Sequence, residues 1–109
     1  RSRRAPSPRA ARQLAAPLGD AALEEMREVA LAERLLESDP ERALELARGL
    51  RRRFPNGYFG EERVYLEVMA LRELGRTREL RSQAGAYLRA FPRGLYAERV
   101  RRALASAGG

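Results

Sequence analysis

Two stretches decide how this chain is read: "RRFPNGYFGEERV", Arg52–Val64, and "RAFPRGLYAERV", Arg89–Val100. Both write Phe-Pro-x-Gly, then a bulky pair, then Glu-Arg-Val. Phe54 and Phe91 stand 37 residues apart and Val64 and Val100 stand 36 apart, so one residue is dropped inside an otherwise matched pair. An internal period of this length marks stacked supersecondary units, none of which can bury its apolar side alone.

The flanks of each stretch are helical. Pro55 pushes Phe54 out of the helical region and stops the preceding helix. Asn56-Gly57 would suggest a hairpin between strands, but apolar residues on both sides recur with helical period, so the pair reads as an interhelix connector. Pro92 and Gly94 repeat the device. Upstream, "SDPERALELARGLRRRF" puts Asp39 at an N-cap, Pro40 at the first helical position and Glu41 in the positive first turn. Its stripe is Ala43, Ala47, Leu50 and Phe54, widened by Leu44 and Leu46. A first helix is predicted from Asp20 to about Glu37 with Leu23, Met26, Ala30, Leu35 and Leu36 inward. A third covers Phe59 to Leu74, with Val64, Val68 and Leu71 on one face, Tyr65 and Met69 beside it, and Gly75 as a left-handed cap. A fourth runs from Thr77 with Leu80, Ala84, Tyr87, Leu88 and Phe91 on its stripe. Gly85 in its middle suggests close helix approach, since glycine there costs about 1 kcal/mol relative to alanine. The fifth, from about Leu95 to Ala105, uses Tyr96, Val100 and Leu104 and looks like the cap of the stack. No segment alternates with period two.

The chain has 109 residues, 22 Arg, no Lys and a net charge of +7. Five of those charges belong to Arg1, Arg3, Arg4, Arg9 and Arg12, in a segment of Arg, Ala, Pro and Ser with no apolar period, so residues 1–17 read as a disordered tail and 18–106 as one helical domain. From Gln13 onward 17 Arg face 15 carboxylates, which describes a solvated, ion-paired helical surface. Exclusive use of Arg reads as coding bias rather than as a phosphate site. Without Cys or His the sequence offers no disulfide, no thiolate nucleophile and no zinc set, and it lacks the commonest general base. Glu61 and Glu62, like Glu24 and Glu25, are helix neighbours that point apart, not a facing acid/base pair. No cofactor motif is present, no apolar run approaches the roughly 18 residues of a membrane span, and the absence of an initial Met reads as a fragment of a larger protein.

These features together resemble the tetratricopeptide repeat family. "LGRTREL", Leu74–Leu80, stands at that family's turn between paired helices; Pro55 and Pro92 stand at its closing proline, and Ala43 at a small packing position. The longer period comes from "YFG" and "LYA" after the closing Pro and Gly, as in the variant found in bacterial envelope proteins such as the outer-membrane barrel-assembly lipoprotein and the Tol-Pal accessory protein. Leu80, Tyr87 and Val64 depart from the family pattern. The resemblance implies a short right-handed solenoid of about five helices, all-α, acting as a non-catalytic scaffold that binds a peptide or helix in its concave groove. It places the first helix of each pair on that groove and so nominates Glu62, Tyr65, Met69, Arg72 and Glu73 in one unit, and Glu25, Glu28, Ala32 and Leu35 in the other. An exposed Tyr65 and Met69 framed by Glu62 and Arg72 would grip the partner; as ordinary packing residues they would not. It also implies a periplasmic or membrane-anchored location at the carboxy-terminal end of a bacterial protein, with the cytoplasm as alternative. A second reading is sequence-independent, salt-sensitive binding of nucleic acid, or of anionic membrane, by the basic tail and Arg51–Arg53.

Overall fold

The computed structural model describes the backbone of residues 8–108 and the side chains of residues 19–107. The tail expected over residues 1–17 falls partly on residues 1–7, outside the described residues. Among the described residues there are five helices and no strand: α1 Pro8–Leu35, α2 Pro40–Arg53, α3 Gly60–Leu74, α4 Thr77–Ala90 and α5 Ala97–Gly108. α1 consists of two helical segments joined at Gly19, whose φ of 75° and ψ of −169° suit only glycine. The segment after it starts at Asp20, where the sequence places the first helix.

Local chemistry sets the other boundaries. Asp39 Oδ1 accepts the Arg42 amide at 3.2 Å and so satisfies one orphan N–H of α2, with Pro40 just inside. Gly75 at φ 70° closes α3: its amide reaches the Arg72 carbonyl and the Arg76 amide the Leu71 carbonyl, both at 3.1 Å, the paired bonds of a Schellman turn. Phe54 and Phe91 leave the helical region with nearly the same angles, φ −131° and −133°. The two connectors therefore depart in the same way, as the shared Phe-Pro requires.

Each helix packs on the next, α1 also touches α3, and α3 also touches α5, whereas the backbones of α2 and α4 do not pack together. The helices thus form two rows, a close-set row of α1, α3 and α5 and a splayed row of α2 and α4, as in a short helical solenoid. The core runs through both rows, with Leu44, Leu50, Leu66, Val68, Leu71, Tyr87 and Val100 fully buried. Its members repeat in register: Ala47, Leu50 and Phe54 correspond to Ala84, Tyr87 and Phe91, 37 residues on, and Ala32 and Leu35 to Val68 and Leu71, 36 residues on.

Two expectations are corrected. The buried stripe of α1 is Ala22, Glu25, Val29 and Ala32, not Leu23, Met26 and Ala30; Met26 is 46% exposed. A buried carboxylate in the stripe shifted the apparent phase toward the apolar residues next to it. Gly85 does not mark close helix approach either, because a Cβ there would meet only the Arg89 side chain of its own helix.

Candidate functional site

The connectors are held by carboxylates from the inner row. Glu25, 4% exposed, accepts the Tyr58 amide on Oε1 and the Phe59 amide on Oε2, both at 3.1 Å. Thirty-six residues later Glu61 does the same for the next connector: its Oε2 accepts the Leu95 amide at 2.8 Å and the Tyr87 hydroxyl at 2.7 Å, and that hydroxyl accepts the Tyr96 amide at 2.9 Å. Gly57 and Gly94 have no side chain because of this arrangement. A Cβ on Gly57 would run into the Glu25 carboxylate, and one on Gly94 into Glu61 and the Tyr87 hydroxyl. Proline ends the helix, glycine admits the carboxylate, and the carboxylate caps the amides that follow; this is why Phe-Pro-x-Gly is written twice. Burial pushes the Tyr87 hydroxyl up to about 12, reinforced by its bond to Glu61.

With Glu25 fixed in a connector, it does not line a groove, which corrects its nomination. Tyr65 and Met69 are buried as well, so neither is an exposed grip: Tyr65 stacks on Tyr96 with ring centroids 4.0 Å apart, and its hydroxyl accepts Arg99 Nη1 at 3.3 Å. Ala32 is buried and Leu35 half-buried against the core. Glu28 binds Arg53 at 2.5 Å, and its other oxygen is buried without a partner. Glu62 is half-buried, and Arg72 and Glu73 are exposed and paired with each other at 3.4 Å. The inner row is too closely packed for the nominated aromatic and thioether to emerge.

What the row does present follows from the register. Met26 on α1 stands where Glu62 stands on α3, and Glu33 where Met69 stands. Tyr96 has its hydroxyl pKa raised by burial first and then by the negative potentials of Glu62 and Glu33. Arg99 closes the far side of the stack. By this register Met26, an exposed apolar residue, and Glu33 on α1 share the face that Glu62 occupies on α3. Tyr58 and Leu95, at equivalent connector positions, are 66% and 78% exposed, so of the two bulky residues after each Phe-Pro-x-Gly only the second, Phe59 or Tyr96, docks on the core.

The outer row differs. Between α2 and α4 lies an open cleft of about 280 Å³ lined by Arg48, Arg51, Glu67 and Glu79. Arg48 bridges it, giving Nε to Glu67 at 3.2 Å and Nη2 to Glu79 at 2.8 Å. Burial lowers the pKa of Arg63, and repulsion from Arg51 adds to this. In the Arg51–Arg53 run, Arg53 is engaged by Glu28 and Glu24 and lies over the Phe54 ring at 5.0 Å; the run is not three unengaged cations. The side chains of the basic tail lie outside the described residues. Among the described residues no group of three His, Cys, Asp or Glu could hold a metal, and no helix is long and apolar enough to cross a membrane.

No protein-family model, no curated protein and no solved structure matches the chain.

Proposed function

We propose that the domain is a non-catalytic protein-binding module, a tetratricopeptide-like stack whose inner row receives a peptide or helix. The observation that carries the reading is the carboxylate clamp recurring at a 36-residue interval. It fixes successive helix pairs in one orientation and lines up the exposed positions of α1, α3 and α5 as a single surface. Met26, Glu33, Glu62 and Arg99 provide contact on that surface. A partner segment bearing Lys or Arg beside a large apolar residue fits it: the cation meets Glu33 and Glu62, and the apolar group covers Met26.

The test is selection of peptides from a random library on the full chain. Enrichment of basic-apolar sequences is expected, with affinity falling at least about tenfold, or 1.4 kcal/mol, for the Glu33→Arg, Glu62→Arg variant. Binding that ignores the variant refutes the assignment of the face. Retention of a labelled oligonucleotide at physiological salt, lost on deletion of residues 1–12, would favour the basic-tail reading in its place.

A further inference from the structure

α1 has a side that its counterpart does not leave open. On α3, Leu66, Glu67 and Ala70 are buried, and the Arg48–Glu67 contact shows that this side faces α2. The positions 36 residues earlier on α1 are Ala30, Leu31 and Arg34; the first two are only half-buried and Arg34 is exposed.

The sequence ahead of α1's kink carries the pattern of an outer-row helix. Ala47, Leu50 and Phe54 in α2, and Ala84, Tyr87 and Phe91 in α4, are a small residue followed by two large ones at i, i+3 and i+7, one face of a helix. Ala11, Leu14 and Leu18 write the same pattern 36 residues before the first set, and Arg12 falls at the place of Arg48. The chain then breaks at Gly19, immediately after Leu18, where Pro55 and Pro92 break the later helices immediately after Phe54 and Phe91. The backbone from Pro8 to the break is helical.

We propose that residues 8–18 are a further outer-row helix. They turn back at Gly19 and lie with this face of the helix along the Ala30–Leu31 side of α1, as α2 lies along α3. The segment that composition marks as a disordered tail is, on this account, the outer-row helix that covers this side of α1. Gly19 serves as the connector in compressed form, one left-handed residue in place of Pro-x-Gly and its bulky pair.

The chain has no Cys, so thiol pairs can be introduced cleanly. In the full chain, Arg12→Cys with Leu31→Cys places thiols at the counterparts of Arg48 and Glu67. Leu95→Cys, on the distant α4–α5 connector, replaces Leu31→Cys in the control. With a short bis-maleimide the first pair is expected to give an intrachain product at least about tenfold faster than the control, because docking raises the effective concentration of the thiols. Equal rates would overturn the proposal, and so would a product joining two chains. Deleting residues 1–18 is expected to lower the melting temperature by at least about 4 °C, the shift that a modest loss of packing gives in a domain of this size; an unchanged melt is incompatible with docking.

Discussion

Replacing Gly57 with alanine tests the carboxylate clamp most directly. The new Cβ would occupy the space held by the Glu25 carboxylate, which must withdraw and release the Tyr58 and Phe59 amides. Each is a charge-assisted bond in a partly buried place, so losing both costs about 2–4 kcal/mol. Glu25→Ala removes the same two bonds by the other route, at a similar cost. In the double variant the carboxylate that the Cβ would strike is gone, and Gly57 does not have a positive φ; alanine there is then expected to be neutral or to gain about 0.4–1 kcal/mol by restricting the unfolded chain. The double variant should therefore be no less stable than Glu25→Ala alone, which amounts to a coupling energy of at least about 2 kcal/mol against a sum of single effects. Urea unfolding followed by circular dichroism measures all four species. A domain of this size shifts its melting temperature by roughly 4–8 °C per kcal/mol, so each single variant is also visible on heating. Additive losses, within about 0.5 kcal/mol, would show that the glycine and the carboxylate do not meet and would refute the account of Phe-Pro-x-Gly.

Ala47 is fully buried where α2 meets its neighbours; Ala47→Asp places an unpaired charge there and should abolish the cooperative thermal transition, whereas retention of a normal melt would remove α2 from the centre of the fold. Glu67, 2% exposed, has one oxygen bonded to Arg48 and one without a partner, while Arg48 keeps Glu79 if Glu67 is lost. Glu67→Met is therefore expected to leave stability unchanged or raise it by about 1–2 kcal/mol in urea unfolding, and a loss above about 1 kcal/mol would contradict this. Tyr87, with its pKa raised to about 12 from 10.0, stabilises the fold fully below pH 10 and loses that contribution as the pH rises toward 12, since the unfolded chain releases the proton more readily. Alkaline unfolding over that window is the expected result, with the Tyr87 ionisation identified by ultraviolet difference absorbance between the wild type and Tyr87→Phe; ionisation of Tyr87 in the folded state near 10 would refute it.

The boundaries of the helices were legible because they depend on residues with narrow conformational roles. Asp39 with Pro40 starts α2, Gly75 ends α3, and Pro55 and Pro92 stop α2 and α4 at Phe54 and Phe91. All of these act within a few residues of themselves. The clamp was not legible, because Glu25 acts on amides 33 and 34 residues away and nothing near it in sequence distinguishes it from the solvated glutamates beside it. The signal that would have found it is the interval: Glu25 and Glu61 are separated by 36 residues, in step with Ala32 and Val68. The same hidden carboxylate explains the misplaced face of α1, since periodicity arguments assume that buried positions are apolar. Tyr65 and Met69 were misread for a different reason. Their side of α3 is exposed or buried according to how closely the inner helices approach, and a single helix's pattern does not encode that distance.

The two clamps differ in a way that shows what the repeat conserves. In the first, one carboxylate spans two successive amides. In the second, Glu61 takes the Leu95 amide directly and reaches the Tyr96 amide only through the Tyr87 hydroxyl. Tyr87 occupies the register position of Leu50, so the larger side chain brings its own acceptor into the connector and inserts it between the carboxylate and the second amide. Both solutions satisfy two consecutive amides with a carboxylate of the preceding inner helix, aided in the second by the Tyr87 hydroxyl of α4, and both require a glycine at the point of entry. What is repeated is thus a hydrogen-bonding requirement, set by a chain that must leave one helix and begin the next within six residues. α5 lacks the carboxylate. Ala97 stands at the place of Glu25 and Glu61 and carries no carboxylate, so a connector following α5 could not be held in this way. On α5, Ala97, Val100 and Ala103, small and medium residues, are packed inward, and the arginines at 99, 101 and 102 are exposed.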